Sequence, residues 1–191
     1  MKKETMMRSF HWIAMLSVFA LGAGTLMSPN PARAASAAEI SRDAASALNK
    51  LYAGSPEAKS LGKKAKAILV FPGITKGGFM VGGQFGEGAL LKAGKTAGYY
   101  NTVQVSYGFQ AGLQKYGYAL FLMSDSALKW IDRSDGWEIG TGPSIVVIDS
   151  GAAKALTTTT LQSEIYAFFF DQKGLMGGIG LQGTKITRIN K

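Results

Sequence analysis

Apolar and polar positions change period along the chain, and each change marks a structural element. From Ile40, apolar residues return at helical spacing, at Ala44, Ala47, Leu48 and Leu51. Ahead of them Ser36 and Glu39 have the spacing of a capping box, in which hydroxyl and carboxylate each accept a hydrogen bond from the other residue's free backbone N–H. The pattern predicts a helix from Ser36 to about Gly54. Ser55-Pro56-Glu57 predicts a second, with Ser as N-cap and Pro in the first turn, where its missing N–H costs nothing. Ala58, Leu61 and Ala65 form its apolar side, and Lys59, Lys63, Lys64 and Lys66 surround the rest.

At Ala67 the period becomes two. Residues 67–71 (AILVF) are continuously apolar and read as a buried strand stopped by Pro72-Gly73. Residues 76–88 then place six glycines among thirteen positions, and residues 92–96 have the composition of a hairpin turn. Residues 99–110 alternate. Tyr99, Asn101, Val103, Val105, Tyr107 and Phe109 form the more apolar side, expected to be buried, and Tyr100, Thr102, Gln104, Ser106, Gly108 and Gln110 the polar one. Further strands are predicted at 113–123, 137–140, 144–150, 164–171 and 178–189, with a short helix capped by Ser124-Asp125 and running to about Asp132. Most connections are too tight for helical crossovers. The expected class is therefore α+β: a strongly coiled, barrel-like antiparallel sheet with N-terminal helices and one short inserted helix.

The first 34 residues change this picture. Lys2, Lys3 and Arg8 precede an uncharged apolar run, residues 13–21, and Ala32-Arg33-Ala34 follows two prolines with the small-residue spacing of a cleavage site. Ala35-Ser36-Ala37 offers a second site of the same kind. Residues 1–34 are thus expected to be a signal peptide and 35–191 a single domain, exported to the periplasm or beyond. A retained anchor is the alternative, since residues 10–27 carry no Lys, Arg, Asp or Glu. The chain carries a net charge of +9, and it stays basic when Lys2, Lys3, Arg8, Arg33 and Glu4 leave with the leader. The single histidine, His11, also lies there, and the chain has no cysteine. Imidazole triads, His or Cys metal sites, disulfides and a lipid-modified Cys are all excluded from residues 35–191.

Glycine motifs tempt towards nucleotides, and fail on context. Gly94-Lys95-Thr96 resembles the end of a phosphate-binding loop, but Ala89 stands where that loop needs glycine and a strand is predicted to follow. Gly178-Ile-Gly180-Leu-Gln-Gly183 has dinucleotide-loop spacing, yet too few residues remain to complete the unit. The glycines cluster instead on three presumed neighbouring strands, at Gly82 to Gly88, at Gly108 to Gly117 and at Gly177 to Gly183. That distribution fits strands whose backbones crowd together. Lys76-Gly-Gly-Phe-Met-Val-Gly-Gly and Lys173-Gly-Leu-Met-Gly-Gly-Ile-Gly are also faint echoes of one another. Carboxylates show no enforced pairing, and a Ser-Lys hydrolase built on Ser106 or Ser144 has nothing in its favour. No catalytic residue, cofactor or metal is expected.

A set of motifs in order resembles a known family: Ala65-Lys-Ala-Ile-Leu-Val-Phe-Pro72, Lys76-Gly-Gly-Phe79, Gly82-Gly-Gln-Phe-Gly-Glu-Gly88, Tyr99-Tyr-Asn101, Ser106-x-Gly-x-Gln110, Gly142-Pro143, Asp149-x-Gly-Ala152 and Gly174-Leu-Met-Gly-Gly-Ile-x-Leu-Gln-Gly183. Together they resemble the SYLF domain, also called the Ysc84 actin-binding domain, from about Ile40 to Ile189. The resemblance implies a lipid-binding module. Eukaryotic relatives bind phosphoinositides through a basic, amphipathic N-terminal part, and fungal ones also bind actin. By position it points to Lys63, Lys64 and Lys66, with Lys76 of the Lys-Gly-Gly-Phe motif as a fourth lipid-binding candidate. Actin is not expected to meet an exported chain, and neither is nucleic acid. The expected function is non-catalytic recognition of anionic phospholipid at a membrane of the cell envelope, with Ile40, Leu48 and Leu51 either entering the interface or packing on the core. The alternative is an assembly protein of the envelope that binds protein partners.

Overall fold

The helices form where capping and periodicity place them. A computed structural model describes residues 35–79, 81–107, 112–133, 135–148, 163–173, 181 and 183–191. The leader, the threonine run and the second glycine echo lie outside these residues. Helix α1 spans Ala37–Gly54, with both hydrogen bonds of the Ser36–Glu39 capping box in place. Its buried residues are Ile40, Ala44, Ala47, Leu48 and Leu51, the stripe read from the sequence. Helix α2 spans Pro56–Gly62 and is capped by the Ser55 hydroxyl, which accepts from the Ala58 N–H at 3.0 Å. It ends earlier than expected, so Lys63 and Lys64 sit on the turn beyond it and Lys66 just before the first strand.

Among the described residues eight strands follow: β1 (Ala67–Phe79), β2 (Val81–Lys92), β3 (Lys95–Tyr107), β4 (Gly112–Leu122), β5 (Trp137–Glu138), β6 (Ile145–Ile148), β7 (Ile165–Lys173) and β8 (Lys185–Ile189), with α3 (Asp125–Ile131) between β4 and β5. They form one sheet in the order β5-β8-β3-β2-β1-β4-β7-β6. All pairs are antiparallel except β6 with β7, which is parallel, so the sheet is mixed at one edge. Pro72-Gly73 does not stop β1. Its register with both neighbours slips there and pairing resumes at Ile74 and Thr75, so proline occupies an irregularity and costs no ladder bond that its N–H would have made. Ala93 and Gly94, both at positive φ, close a two-residue β2–β3 hairpin.

The sheet carries a core on each face. On the inner face Leu69, Tyr100, Tyr118, Leu120, Trp137, Ile165 and Ile186 pack beneath Ala127 and Ile131 of α3. On the outer face Ile68, Val70, Ala89, Leu91 and Phe121 receive the apolar stripes of α1 and α2. Burying a side chain such as Ile40, Leu48 or Leu51 contributes about 1.5–3 kcal/mol. The C-terminal Lys191 fastens this layer, its Nζ lying 2.8 Å from Glu87 of β2 and 3.0 Å from the Ala35 carbonyl oxygen at the start of α1.

The glycine-rich β2 and β4 are not neighbours. They flank β1 on either side, and β1 exploits the missing side chains. A Cβ on Gly88 would overlap the Val70 carbonyl oxygen and the Phe71 ring, and one on Gly86 would overlap Ile74. Gly83, in the same strand, would meet its nearest neighbour only at ordinary contact distance, 3.8 Å. We expect Gly88→Ala to lower stability by about 1–3 kcal/mol through forced displacement of β1, and Gly83→Ala to stay within about 0.5 kcal/mol of wild type. Urea unfolding of the two variants checks this, as a lowered midpoint for the first alone.

Candidate functional site

Strand register gathers lysines that are remote in sequence. The start of β1, the end of β2, the start of β3 and the end of β4 all meet at one end of the sheet, as the pairings Ala67↔Leu122, Ile68↔Leu91 and Lys92↔Lys95 require. Lys63 and Lys64 stand on the turn leading to this end. The Lys66 N–H donates to the Leu122 carbonyl at 2.8 Å, and its Nζ lies 3.5 Å from Asp125 at the start of α3. Lys92 and Lys95 flank the hairpin, and Lys129 projects from α3. All six are exposed. Among the described residues neither Lys63 nor Lys64 takes part in an ion pair, and the exposed pair of Lys66 is weak. The family resemblance pointed to the first three by position; Lys92 and Lys95 are legible in the sequence only as turn lysines, and the fold brings them and Lys129 to the same end.

Lys76 lies elsewhere. It sits in the far half of β1 on the inner face and is 6% exposed. Its neighbours across the ladder are Gln84 and Gln114, and Gln104 stands opposite Gln84, so a polar row crosses four adjacent strands. Next to this row, the Tyr116 hydroxyl donates to Gln84 Oε1, Gln84 Nε2 donates to Thr184 Oγ1 at 3.5 Å, and the Tyr118 hydroxyl donates to Thr102 Oγ1 at 2.8 Å. Burial pushes Tyr116 up to about 12, partly offset by its bond to Gln84. Burial raises Tyr118 further, and raises Tyr100 together with the Asp132 carboxylate that its hydroxyl contacts. The layer is a hydrogen-bonded interior that stays protonated through the neutral range.

The apolar side chains of α1 do not reach solvent. Ile40, Leu48 and Leu51 are buried against the sheet. The exposed apolar surface lies instead beyond the helices, on the same outer face. Phe85 of β2 (52% exposed), Val105 of β3 (59%) and Leu113 of β4 (60%) stand there with Val81 and Val103. Register aligns them: Val103 opposes Phe85, while Val105, Gly83, Gly77 and Leu113 run side by side across four strands. The side of β3 expected inward is thus the uncovered one, and Tyr100 and Thr102 are buried in its place. A groove of about 480 Å³ marks the step from α1 to this bare half, with Asp43, Lys50, Thr75, Phe85 and Glu87 in its walls. Helix length was a usable signal. A helix of 18 residues reaches about 27 Å, whereas a strand of 12 reaches about 40 Å.

The fold is thus α+β, with a helical layer over part of one sheet face, exposed lysines around the helix and hairpin ends and exposed apolar residues on the uncovered half. The family model for Ysc84, described as Las17-binding protein actin regulator, matches residues 103–191. That stretch is similar to the Ysc84 (SYLF) family, and it takes in α3, β4 to β8 and most of the inner core. Lys63, Lys64, Lys66 and Lys76 precede it. No curated protein matches the chain.

The tyrosine layer fixes an alkaline limit. In the unfolded chain these phenols titrate near 10, so between about 10 and 12 the unfolded state binds fewer protons than the folded one and stability falls as pH rises. We expect a urea midpoint that is flat between about pH 7 and 9 and declines above about 10, with tyrosinate absorbance rising together with unfolding.

Proposed function

We propose that the chain is a non-catalytic lipid-binding domain of the cell envelope, exported by its leader, which meets anionic membrane surfaces with the basic end of its sheet. The observation that carries this reading is the gathering of Lys63, Lys64, Lys66, Lys92, Lys95 and Lys129 around one end, opposed there by Asp125, which Lys66 engages, by Asp132, which Arg188 engages, and by Glu164, which accepts from the Ser124 and Ser126 hydroxyls. Each basic group near a charged bilayer contributes on the order of 1 kcal/mol. Several acting together hold a small domain at the surface without any inserted helix, and no described helix is long and apolar enough to cross a membrane. The attraction is screened over about 10 Å at 0.1 M salt. Within this reading Lys63 and Lys64 supply the first contacts, and Lys76, being buried, acts only through the interior.

A second reading has its own support. The bare outer face around Phe85, Val105 and Leu113 suits an apolar protein partner, as an assembly role in the envelope requires. Co-sedimentation separates the two. We expect pelleting with phosphatidylglycerol vesicles and not with phosphatidylcholine vesicles, loss of pelleting at high salt, and binding weakened by at least about thirtyfold in Lys63→Glu/Lys64→Glu. Equal pelleting in every arm overturns the lipid reading and favours the partner.

A further inference from the structure

At the basic end, the β2–β3 hairpin, α3 and β8 enclose a concavity of about 430 Å³ whose walls include Leu90, Lys92, Leu128, Lys129, Asp132 and Arg188. Three elements that are distant in sequence each contribute one cation. Asp132 is already engaged: its Oδ1 accepts the Tyr100 hydroxyl at 2.6 Å and Arg188 Nη1 at 3.1 Å. This leaves the remaining N–H donors of the Arg188 fork, and Lys92 and Lys129 form no ion pair among the described residues. Leu90 and Leu128 supply apolar wall beside the charges, which concentrates their field in the hollow. Three cations against one carboxylate leave a double positive excess, and the volume is that of a small-ligand site.

We infer that this pocket binds a phosphate group, as a dianionic phosphomonoester carried either by a lipid headgroup or by a small soluble phosphate compound. The fork of Arg188 and the two flexible ammonium groups match a tetrahedral oxyanion, and a dianion balances the excess charge. The inference rests on the lipid reading above for its membrane source, but not for the chemistry of the pocket.

The test uses the full chain, labelled for amide NMR and titrated with glycerol 3-phosphate or inorganic phosphate at constant ionic strength. Phosphatidic acid vesicles form a parallel arm. Wild type is compared with Lys92→Gln/Lys129→Gln, whose exposed side chains leave the fold intact, and with Lys63→Glu/Lys64→Glu. We expect saturable shifts at Lys92, Lys129 and Arg188 in wild type and in the Lys63/Lys64 variant, weakened about thirtyfold in Lys92→Gln/Lys129→Gln. If the phosphate belongs to lipid, that variant loses phosphatidic acid vesicles by more than it loses phosphatidylglycerol vesicles, which carry no phosphomonoester; if the compound is soluble, binding to both vesicle types weakens equally while the NMR titration is lost. Non-saturable shifts, or shifts unaltered in Lys92→Gln/Lys129→Gln, overturn the inference. Vesicle binding that depends on Lys63 and Lys64 without any pocket response leaves the lipid reading standing and removes the pocket. A pocket response without vesicle binding does the reverse.

Discussion

The whole arrangement depends on how closely β1 lies against β2. The Val70 carbonyl oxygen and the Phe71 ring occupy the space a side chain on Gly88 would need, and Ile74 occupies that of Gly86. This contact lets both faces of β1 be filled with large residues, Leu69, Phe71 and Ile74 inward and Ile68 and Val70 outward. Glycine in a strand sacrifices packing area and conformational entropy. Here that loss is offset because the neighbouring strand moves into the vacated volume and carries a core on each side. With β1 held, β4 follows on its other edge, and the lysines at its start are brought beside the hairpin of β2 and β3.

Local chemistry was legible and global coverage was not. The capping box of Ser36 and Glu39, the five-residue stripe of α1, the Ser55-Pro56 start of α2 and the turn at Ala93-Gly94 all act within a few residues, where the physics that forms them is written contiguously. Pro72-Gly73 misled because a proline that ends an ideal strand is tolerated where the ladder is already irregular. The inversion of β3 has a different cause. Alternation identifies two sides, but which one is covered depends on where α1 lies and how far it reaches, and neither is encoded in β3. The candidate site divides in the same way. Lys63, Lys64 and Lys66 stand out as a run, whereas Lys92, Lys129 and Arg188 become neighbours only through the register of β2 with β3, of β3 with β8, and the docking of α3.

Exposed apolar residues are concentrated in one half of the outer face, where the register also sets the exposed Lys185 beside Val103 and the exposed Lys115 and Lys173 beyond Thr75. The lysine-bearing end contains the helix ends and the hairpin, and the opposite half of the outer face presents Phe85, Val103, Val105 and Leu113 without a helix over them. An electrostatic interaction reaches across several ångströms of water and needs little shape. An apolar one needs contact and a matching surface. On the inner face, the polar row around Lys76 separates the core from the far end of the sheet.

The order of the strands in space differs from their order of synthesis in an informative way. β1 to β4 are made first and form the centre of the sheet, while β7 and β8, made last, pair with β4 and β3 on its two sides. The sheet thus extends in both directions from a core of early neighbours. Until the final segments arrive, a nascent chain has two long unpaired borders, each a template for another molecule's backbone. Lys191 then ties residues far apart in the chain together, its Nζ meeting both Glu87 of β2 and the Ala35 carbonyl oxygen at the start of α1.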